Sequence, residues 1–304
     1  MHKRLLLIMN PAAGVRKANR HLTAMVALFN AHGYICTVFC TAGRGDAIRI
    51  ARENARDFDL VVCVGGDGTL NEVLGGMVEG GAHTPIGYIP AGSTNDFASS
   101  LELSKDILKA AKDIMEGSPR TLDAGSFNGR LFTYVASFGA FTEASYATPQ
   151  RSKNLLGHLA YVLEGMRDLP NIHPVRLILE ASGRRFEGEY IFGAISNATT
   201  IGGVLTLDKQ CVAMDDGLFE IILIKMPQSL LDLNRIVLSL QTQQYDEELI
   251  HFCTAEQAVV SAPPEMPWTL DGEYAPGNAN IRIDNLHHAY AMVINNKKRE
   301  GSSL

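Results

Sequence analysis

Residues 60–70 read LVVCVGGDGTL, an apolar run that is followed at once by three glycines, one aspartate and one threonine. The run 60–64 is typical of a buried strand, and the residues after it predict a helix over 70–78. Glycine lets the backbone approach a phosphate without an intervening Cβ atom, and a helix N-terminus favours anions. The Thr69 hydroxyl is expected to cap that helix. The stretch therefore predicts a strand-to-helix turn that binds phosphate.

The aspartate at the centre of this turn needs a partner, because a carboxylate would otherwise repel a phosphate. We expect Asp67 to face a metal ion, a reacting hydroxyl group or a hydrogen-bond donor. The alternative is an ordinary tight turn in which Asp67 caps the helix, since short motifs also occur by chance.

Strands and helices alternate over the first part of the chain. The predicted strands are 4–9, 34–40, 60–64 and 86–89, and the predicted helices are 20–32, 46–54, 70–78 and 107–115. Such alternation indicates a mainly parallel sheet that is covered on both faces and binds ligands beyond the carboxyl ends of its strands. The turns that start at Asn10, Thr41, Gly65 and Pro90 all follow strands, so we expect them to line one crevice.

The pattern changes after about Leu122. Asn128-Gly129 and Ser182-Gly183 are typical of hairpin turns, and short apolar runs surround them. The predicted strands are 124–127, 131–137, 175–180, 185–195, 218–224, 258–260, 266–270 and 281–283. This part predicts a mainly antiparallel sandwich or barrel, which is interrupted by helices over 155–169 and 229–240.

Several further motifs occur in the same order as in one known family. They are NPAAG at 10–14, Thr41 followed by GDA at 45–47, Asn71-Glu72, PAGSTNDF at 90–97, DDG at 215–217 and LDGE at 270–273. The GGDGT pentapeptide resembles a signature of diacylglycerol kinases, sphingosine kinases, NAD kinases and phosphofructokinases. With the other motifs, which span nearly the whole chain, the sequence resembles a soluble bacterial diacylglycerol kinase-like lipid kinase.

The resemblance implies two domains. An α/β nucleotide-binding domain like those of phosphofructokinase and NAD kinase is expected over 1–122, and a mainly antiparallel β-sandwich that binds the lipid is expected over 123–288. The resemblance also implies that a last strand, about 289–304, returns to the first domain.

The resemblance assigns ATP binding to the residues of the first domain that match its motifs. They are Asn10, Pro11, Gly14, Thr41, Gly65, Gly66, Asp67, Gly68, Thr69, Asn71, Glu72, Ser93, Asn95 and Asp96. Asn95 and Asp96 are equally well interpreted as turn residues whose side chains bond to the backbone. The family often has serine at Ala13 and threonine at Ser93, and neither departure argues against nucleotide binding.

Phosphoryl transfer needs a divalent metal ion and a carboxylate aligned with the attacking hydroxyl. The resemblance assigns the proton acceptor to Glu273, with Asp271 as its essential neighbour and Asp67 as a third catalytic residue, although Asp271 and Glu273 could exchange roles. It assigns Mg²⁺ to the Asp216 side chain and the backbone oxygens of Ala213 and Leu218. A plain Asp-Asp-Gly turn is the alternative interpretation.

These motifs favour an ATP-dependent lipid kinase, with diacylglycerol the leading acceptor and phosphatidic acid the product. Phosphatidylglycerol, a sphingoid base and a prenol remain open as acceptors. An NAD kinase is the alternative enzyme, but the 90–97 loop and the terminal Asp-Gly-Glu argue against it. A non-catalytic lipid carrier has no evident need for the carboxylates of Asp67, Asp271 and Glu273.

The composition restricts the partners. The net charge of −6 and the pI of about 5.9 predict no nucleic-acid binding. No stretch approaches the ~18 apolar residues of a transmembrane helix, so we expect a cytoplasmic protein with transient peripheral membrane contact. The docking candidates are residues 148–154, with Arg151 and Lys153, and the helix 155–169, which could instead pack on the second domain. A homodimer is left open.

Overall fold

The structure, a computed structural model, describes residues 2–16, 18–93, 95–139, 174–201, 205–207 and 212–295. The chain divides into two compact units. The first consists of Met1–Leu122 with His288–Leu304, and the second consists of Asp123–His287. None of the helices in the described ranges combines the length and the apolarity that a membrane-crossing segment needs.

The first unit alternates strands and helices. Its strands are β1 (Lys3–Met9), β2 (Tyr34–Cys40), β3 (Leu60–Gly65) and β4 (Ile86–Pro90), and its helices are α1 (Leu22–Ala31), α2 (Asp46–Asn54), α3 (Asp67–Gly80), α4 (Asp96–Ser100) and α5 (Ile107–Glu116). The strands pair in parallel in the order β2, β1, β3, β4. Every residue of β3 is buried, as expected for a strand that is covered on both faces.

The helices of this unit differ from the prediction in several places. Helix α1 begins at Leu22 rather than at residue 20. Helix α3 begins at Asp67 rather than at residue 70, and its N-cap residue, Gly66, makes no side-chain cap. Thr69 therefore lies within the first turn, and the prediction that it caps the helix was wrong. The short helix α4 was not predicted, because residues 96–100 are too few to show a helical repeat.

The second unit is built mainly of strands. They are β5 (Ser118–Phe127, which begins in the first unit), β6 (Arg130–Phe132), β7 (Val135–Gly139), β8 (Val175–Ala181), β9 (Arg184–Ser196), β10 (Thr200–Ile201), β11 (Leu205–Thr206), β12 (Phe219–Lys225), β13 (Ile250–Ala255), β14 (Gln257–Ser261), β15 (Trp268–Leu270), β16 (Glu273–Ala275) and β17 (Asn280–Ile294, which ends in the first unit). Their pairings within the unit are antiparallel. The predicted fold class, an α/β domain followed by a mainly antiparallel region, is confirmed.

Trp268 lies at the centre of the core of the second unit. It is fully buried, and the rings of Phe127 and Phe138 meet it edge to face at centroid distances of 5.1 and 5.0 Å. Helix α6 (Leu230–Thr242) is capped by the Ser229 hydroxyl, which accepts a hydrogen bond from the Asp232 N–H.

The bounds of several predicted strands differ from the observed ones. β5 begins at Ser118 rather than at residue 124, and β15 begins at Trp268 rather than at residue 266. The predicted strand 131–137 is interrupted after Phe132, because the backbone N–H groups of the next residues bond to the carboxylate of Asp271. The predicted strands 281–283 and 289–294 belong to one strand, β17, which continues through residues 284–288. The predicted helix 155–169 lies outside the described residues.

Candidate active site

The turns that follow β1, β3 and β4 lie backbone to backbone. Gly14 has φ +53°, and a Cβ atom there would collide with the carbonyl oxygen of Ala91. A Cβ atom on Gly92 would lie 2.6 Å from the Cα atom of Gly66. The structure therefore brings these three turns, which are distant in sequence, to one edge of the parallel sheet.

Asp67, the first residue of α3, is buried and faces hydrogen-bond donors. Its carboxylate accepts the backbone N–H of Asp96 at 3.0 Å and that of Phe97 at 3.4 Å. These N–H groups belong to the first turn of α4, where a negative charge is favourable. Of the three kinds of partner that the sequence allowed for Asp67, hydrogen-bond donors are present.

Asn95 closes the loop that joins β4 to α4. Its Oδ1 atom accepts the Gly92 N–H at 2.9 Å, and its Nδ2 group donates to the Gly92 carbonyl, also at 2.9 Å. Asn95 has φ +52°, a conformation that asparagine tolerates better than most residues. Ser93 is exposed in the same loop. Asn95 thus makes the side-chain-to-backbone bonds of a turn residue.

Tyr88, which the sequence analysis missed, lies beneath this cluster. Its buried hydroxyl oxygen is 3.3 Å from the Gly65 carbonyl oxygen and 3.5 Å from the carboxylate of Asp67 and from Oδ1 of Asn95. Burial raises the pKa of Tyr88, and the charge of Asp67 raises it further, so the hydroxyl keeps its proton. The sequence carries one signal for this role, which is a polar aromatic residue within the otherwise apolar strand β4.

Other matched residues bind the elements of the first unit to one another. Asn10 donates from Nδ2 to the Thr69 hydroxyl at 3.2 Å, and its Oδ1 accepts the Ala12 N–H at 2.9 Å. Glu72 accepts the Gly45 N–H at 2.9 Å and so connects α3 to the loop after β2. That loop begins at Thr41, whose N–H bonds to the Met9 carbonyl.

Three of the matched residues lie at surfaces that a ligand can reach. Pro11 is half-buried in the turn after β1, and Gly68 and Asn71 are half-buried in the first turns of α3. Gly68 lies inside a helix, so its backbone conformation does not require glycine. Because its N-cap residue, Gly66, makes no side-chain cap, the N-terminus of α3 suits an anion.

In the second unit, Asp271 is buried, and each of its carboxylate oxygens accepts two hydrogen bonds. One carboxylate oxygen accepts the Thr133 N–H and hydroxyl at 2.6 and 2.8 Å, and the other accepts the N–H groups of Tyr134 and Val135 at 2.9 and 3.0 Å. Burial raises the pKa of Asp271, and the donated hydrogen bonds act in the opposite direction. The geometry suits a residue that fixes the backbone.

Glu273, two residues further on, is in a different environment. Its side chain is 41% exposed, and its carboxylate lies 3.5 Å from the Arg130 guanidinium. Arg130 also donates to the Tyr274 carbonyl, so it is anchored beside the β15–β16 turn. Of the two carboxylates, the one on Glu273 is the more accessible.

The loop 213–218 is held by a residue that sequence reasoning missed. The buried carboxylate of Asp123 accepts the Gly217 N–H at 2.7 Å and lies 3.0 Å from Nδ1 of His287. The Asp123 N–H donates to the Met214 carbonyl, so β5 supports both sides of the loop. No sequence motif marks this contact, which joins residues about ninety positions apart.

The predicted metal ligands lie together in this loop. Asp216 is exposed, and its Oδ1 atom accepts the Leu218 N–H at 2.9 Å, while Ala213 is half-buried. The buried side chains of Asn197 and Glu220 carry three oxygen atoms that have no hydrogen-bond partner within the described part of the chain. Oxygen atoms of carboxylates, amides and backbone carbonyls are the ligands of hard cations, so this donor set fits Mg²⁺.

Comparisons with known proteins agree along the whole chain. Residues 4–127 match the family model of the diacylglycerol kinase catalytic domain. The diacylglycerol kinase of Bacillus subtilis (strain 168) is 33% identical over 300 residues, which cover 98% of each chain. The diacylglycerol kinase of Staphylococcus carnosus (strain TM300) is 33% identical over 276 residues, or 90% of each chain.

A solved structure shows the same fold. The crystal structure of a diacylglycerol kinase from Bacillus anthracis str. Sterne has a TM-score of 0.73 at 22% identity and covers 96% of this chain and 97% of that chain.

Proposed function

Because this chain belongs to the diacylglycerol kinase family and is a lipid kinase, we propose that it phosphorylates diacylglycerol to phosphatidic acid with ATP as donor. The observation that carries the proposal is the similarity to the Bacillus subtilis diacylglycerol kinase over 98% of both chains. That relative is named for the acceptor diacylglycerol, and we assign the same acceptor to this chain because of the similarity.

The first unit binds the phosphates of ATP in this proposal. The N-terminus of α3 and the hydroxyl of Ser93 supply donors, and the glycines leave room for a close approach. Asp67, Asn95 and Tyr88 support the binding loop from beneath, which agrees with their hydrogen bonds to its backbone. We assign Asp67 this positioning role rather than direct chemistry.

Glu273 is the proton acceptor. As the acceptor hydroxyl oxygen forms its bond to the γ-phosphorus atom, the bond to the β-phosphate oxygen breaks, ADP leaves, and Glu273 takes the hydroxyl proton. Asp271 holds the segment 133–135 against the start of β16 and so positions Glu273. The accessible carboxylate of Glu273 and the saturated one of Asp271 support this division of roles.

Mg²⁺ is bound by Asp216 and by the backbone oxygens of Ala213 and Leu218. Such an ion supplies positive charge that compensates nearby carboxylates. Asp123 keeps the loop in place, because its carboxylate bonds to the Gly217 N–H.

The acceptor lipid resides in a membrane, so the protein docks there transiently as a peripheral protein. On sequence grounds Arg151 and Lys153, which lie outside the described residues, contact anionic headgroups, each contributing about 1 kcal/mol near such a surface. We expect Arg151→Glu/Lys153→Glu to reduce co-sedimentation with anionic vesicles and to leave it unchanged with neutral vesicles. Equal binding of the variant to anionic vesicles would place the docking surface elsewhere.

An ADP-release assay with a panel of acceptors tests the function directly. We expect turnover with diacylglycerol in mixed micelles, less with phosphatidylglycerol, a sphingoid base or a prenol, and none with NAD. Glu273→Gln serves as the control for contaminating kinases. Preferred turnover of another lipid would change the acceptor, and turnover of NAD would overturn the proposal.

A further inference from the structure

Glu220 is a buried acidic residue to which no motif assigns a role. It is the second residue of β12, and its neighbours Phe219 and Ile221 both belong to the core of the second unit. Because side chains alternate along a strand, Glu220 points to the opposite face. It is 1% exposed, and within the described ranges neither of its carboxylate oxygens has a hydrogen-bond partner.

A carboxyl group in this state is costly. Burying an ionised carboxylate without a partner is strongly unfavourable, and native proteins supply a partner to nearly all such groups. The loop 213–218 directly precedes β12, so Glu220 follows Leu218, an assigned metal ligand, by two residues.

Asn197 contributes a second unpartnered oxygen. Its side chain is fully buried, and its Nδ2 group donates to the Asp123 carbonyl at 3.1 Å. The other polar atom of the amide, Oδ1, is an acceptor without a hydrogen-bond partner among the described residues. Asp123 in turn holds Gly217 through its carboxylate. Ser196, the residue before Asn197, is the cross-strand partner of Glu220. Glu220 and Asn197 are thus both joined to the loop 213–218, Glu220 along the chain and Asn197 through Asp123.

We propose that Glu220 and Asn197 supply oxygen atoms to the divalent cation of the loop 213–218 or to the water molecules that this cation carries. The proposal rests on the Mg²⁺ assignment made above for Asp216, Ala213 and Leu218. A divalent cation offers a partner to all three unpartnered oxygens and, when Glu220 is ionised, compensates its buried charge.

Metal binding to the full-length protein without nucleotide tests the proposal. Calorimetry with Mg²⁺ and electron paramagnetic resonance with Mn²⁺ compare wild type, Glu220→Gln, Asp216→Asn and the control Glu265→Gln, which changes an exposed residue. We expect Glu220→Gln to weaken metal binding about 10–100-fold, as for other groups that support metal ligands. Without metal it should melt no lower than wild type, and it should lose most of the rise in melting temperature that Mg²⁺ causes.

The variants separate this proposal from the loop assignment. Weak binding in Asp216→Asn with wild-type binding in Glu220→Gln overturns the role of Glu220 and leaves the loop as the metal site. Wild-type binding in both variants overturns the loop assignment and this proposal together. If Glu220→Gln does not fold, Glu220→Asp replaces it, because the shorter side chain keeps the charge and moves the oxygens. Wild-type affinity in Glu220→Asp counts against the proposal.

Discussion

The carboxylate of Asp67 accepts a hydrogen bond of 3.0 Å from the backbone N–H of Asp96. The first turn of α3 is thereby bonded to the first turn of α4, across 29 positions of sequence. The glycine-rich turn and the 90–97 loop therefore form one unit of structure. A substitution in the glycine-rich turn should therefore also disturb the 90–97 loop.

Asp67→Asn tests this connection. The amide keeps the shape of the side chain, but one of its two acceptor atoms becomes a donor that faces the N–H group of either Asp96 or Phe97. We expect the free energy of unfolding to fall by about 1–3 kcal/mol and ATP affinity to fall with it. Urea unfolding and calorimetry measure the two effects, with Asp57→Asn, an exposed change, as control. Wild-type values for both would contradict the proposed role.

Gly14→Ala probes the contact between the turns after β1 and β4. Alanine at φ +53° costs about 1–2 kcal/mol from its backbone alone, and its Cβ atom meets the Ala91 carbonyl. We therefore expect a lower melting temperature and loss of ATP binding. Gly43→Ala is the matched control, since a Cβ atom there has nothing within 4 Å. Equal behaviour of the two variants would show that the close approach is unimportant.

The periodic parts of this fold were predictable from the sequence. β2 and α2 have the predicted bounds, because apolar spacing and turn residues agree there. The start of α3 was placed too late, since a helix can begin at Asp67 without any side-chain cap. The interruption between β6 and β7 could not be predicted, because Asp271, which causes it, is 138 residues away from Thr133.

The candidate site was only partly accessible to sequence reasoning. Motifs located Asp67 and Glu273, but their hydrogen bonds and exposure depend on the folded chain. Tyr88 and Asp123 carry no motif, and their importance comes from contacts with distant backbone groups. The sequence therefore locates reactive residues better than it locates the residues that hold them.

Tyr88→Phe isolates the hydroxyl beneath the glycine-rich turn. The ring contact with Phe97 remains, whereas the donor facing Gly65 and Asp67 is lost. We expect a destabilisation of about 1 kcal/mol and weaker ATP binding. Tyr190→Phe is the matched control, because the buried Tyr190 hydroxyl has no partner among the described residues and its removal should cost nothing. If Tyr88→Phe were as stable as Tyr190→Phe, the hydroxyl would be incidental.

Asp271→Asn and Glu273→Gln separate positioning from proton transfer. An amide at position 271 leaves two of the four donors without an acceptor, so we expect a destabilisation of about 2–5 kcal/mol. Glu273→Gln changes an accessible residue, so its unfolding free energy should stay within about 0.5 kcal/mol of wild type. Its turnover should fall about 10²–10⁴-fold with unchanged ATP affinity. Chemical unfolding, calorimetry and steady-state kinetics provide the three measurements. A stable Glu273→Gln variant with near wild-type turnover would exclude Glu273 as the proton acceptor.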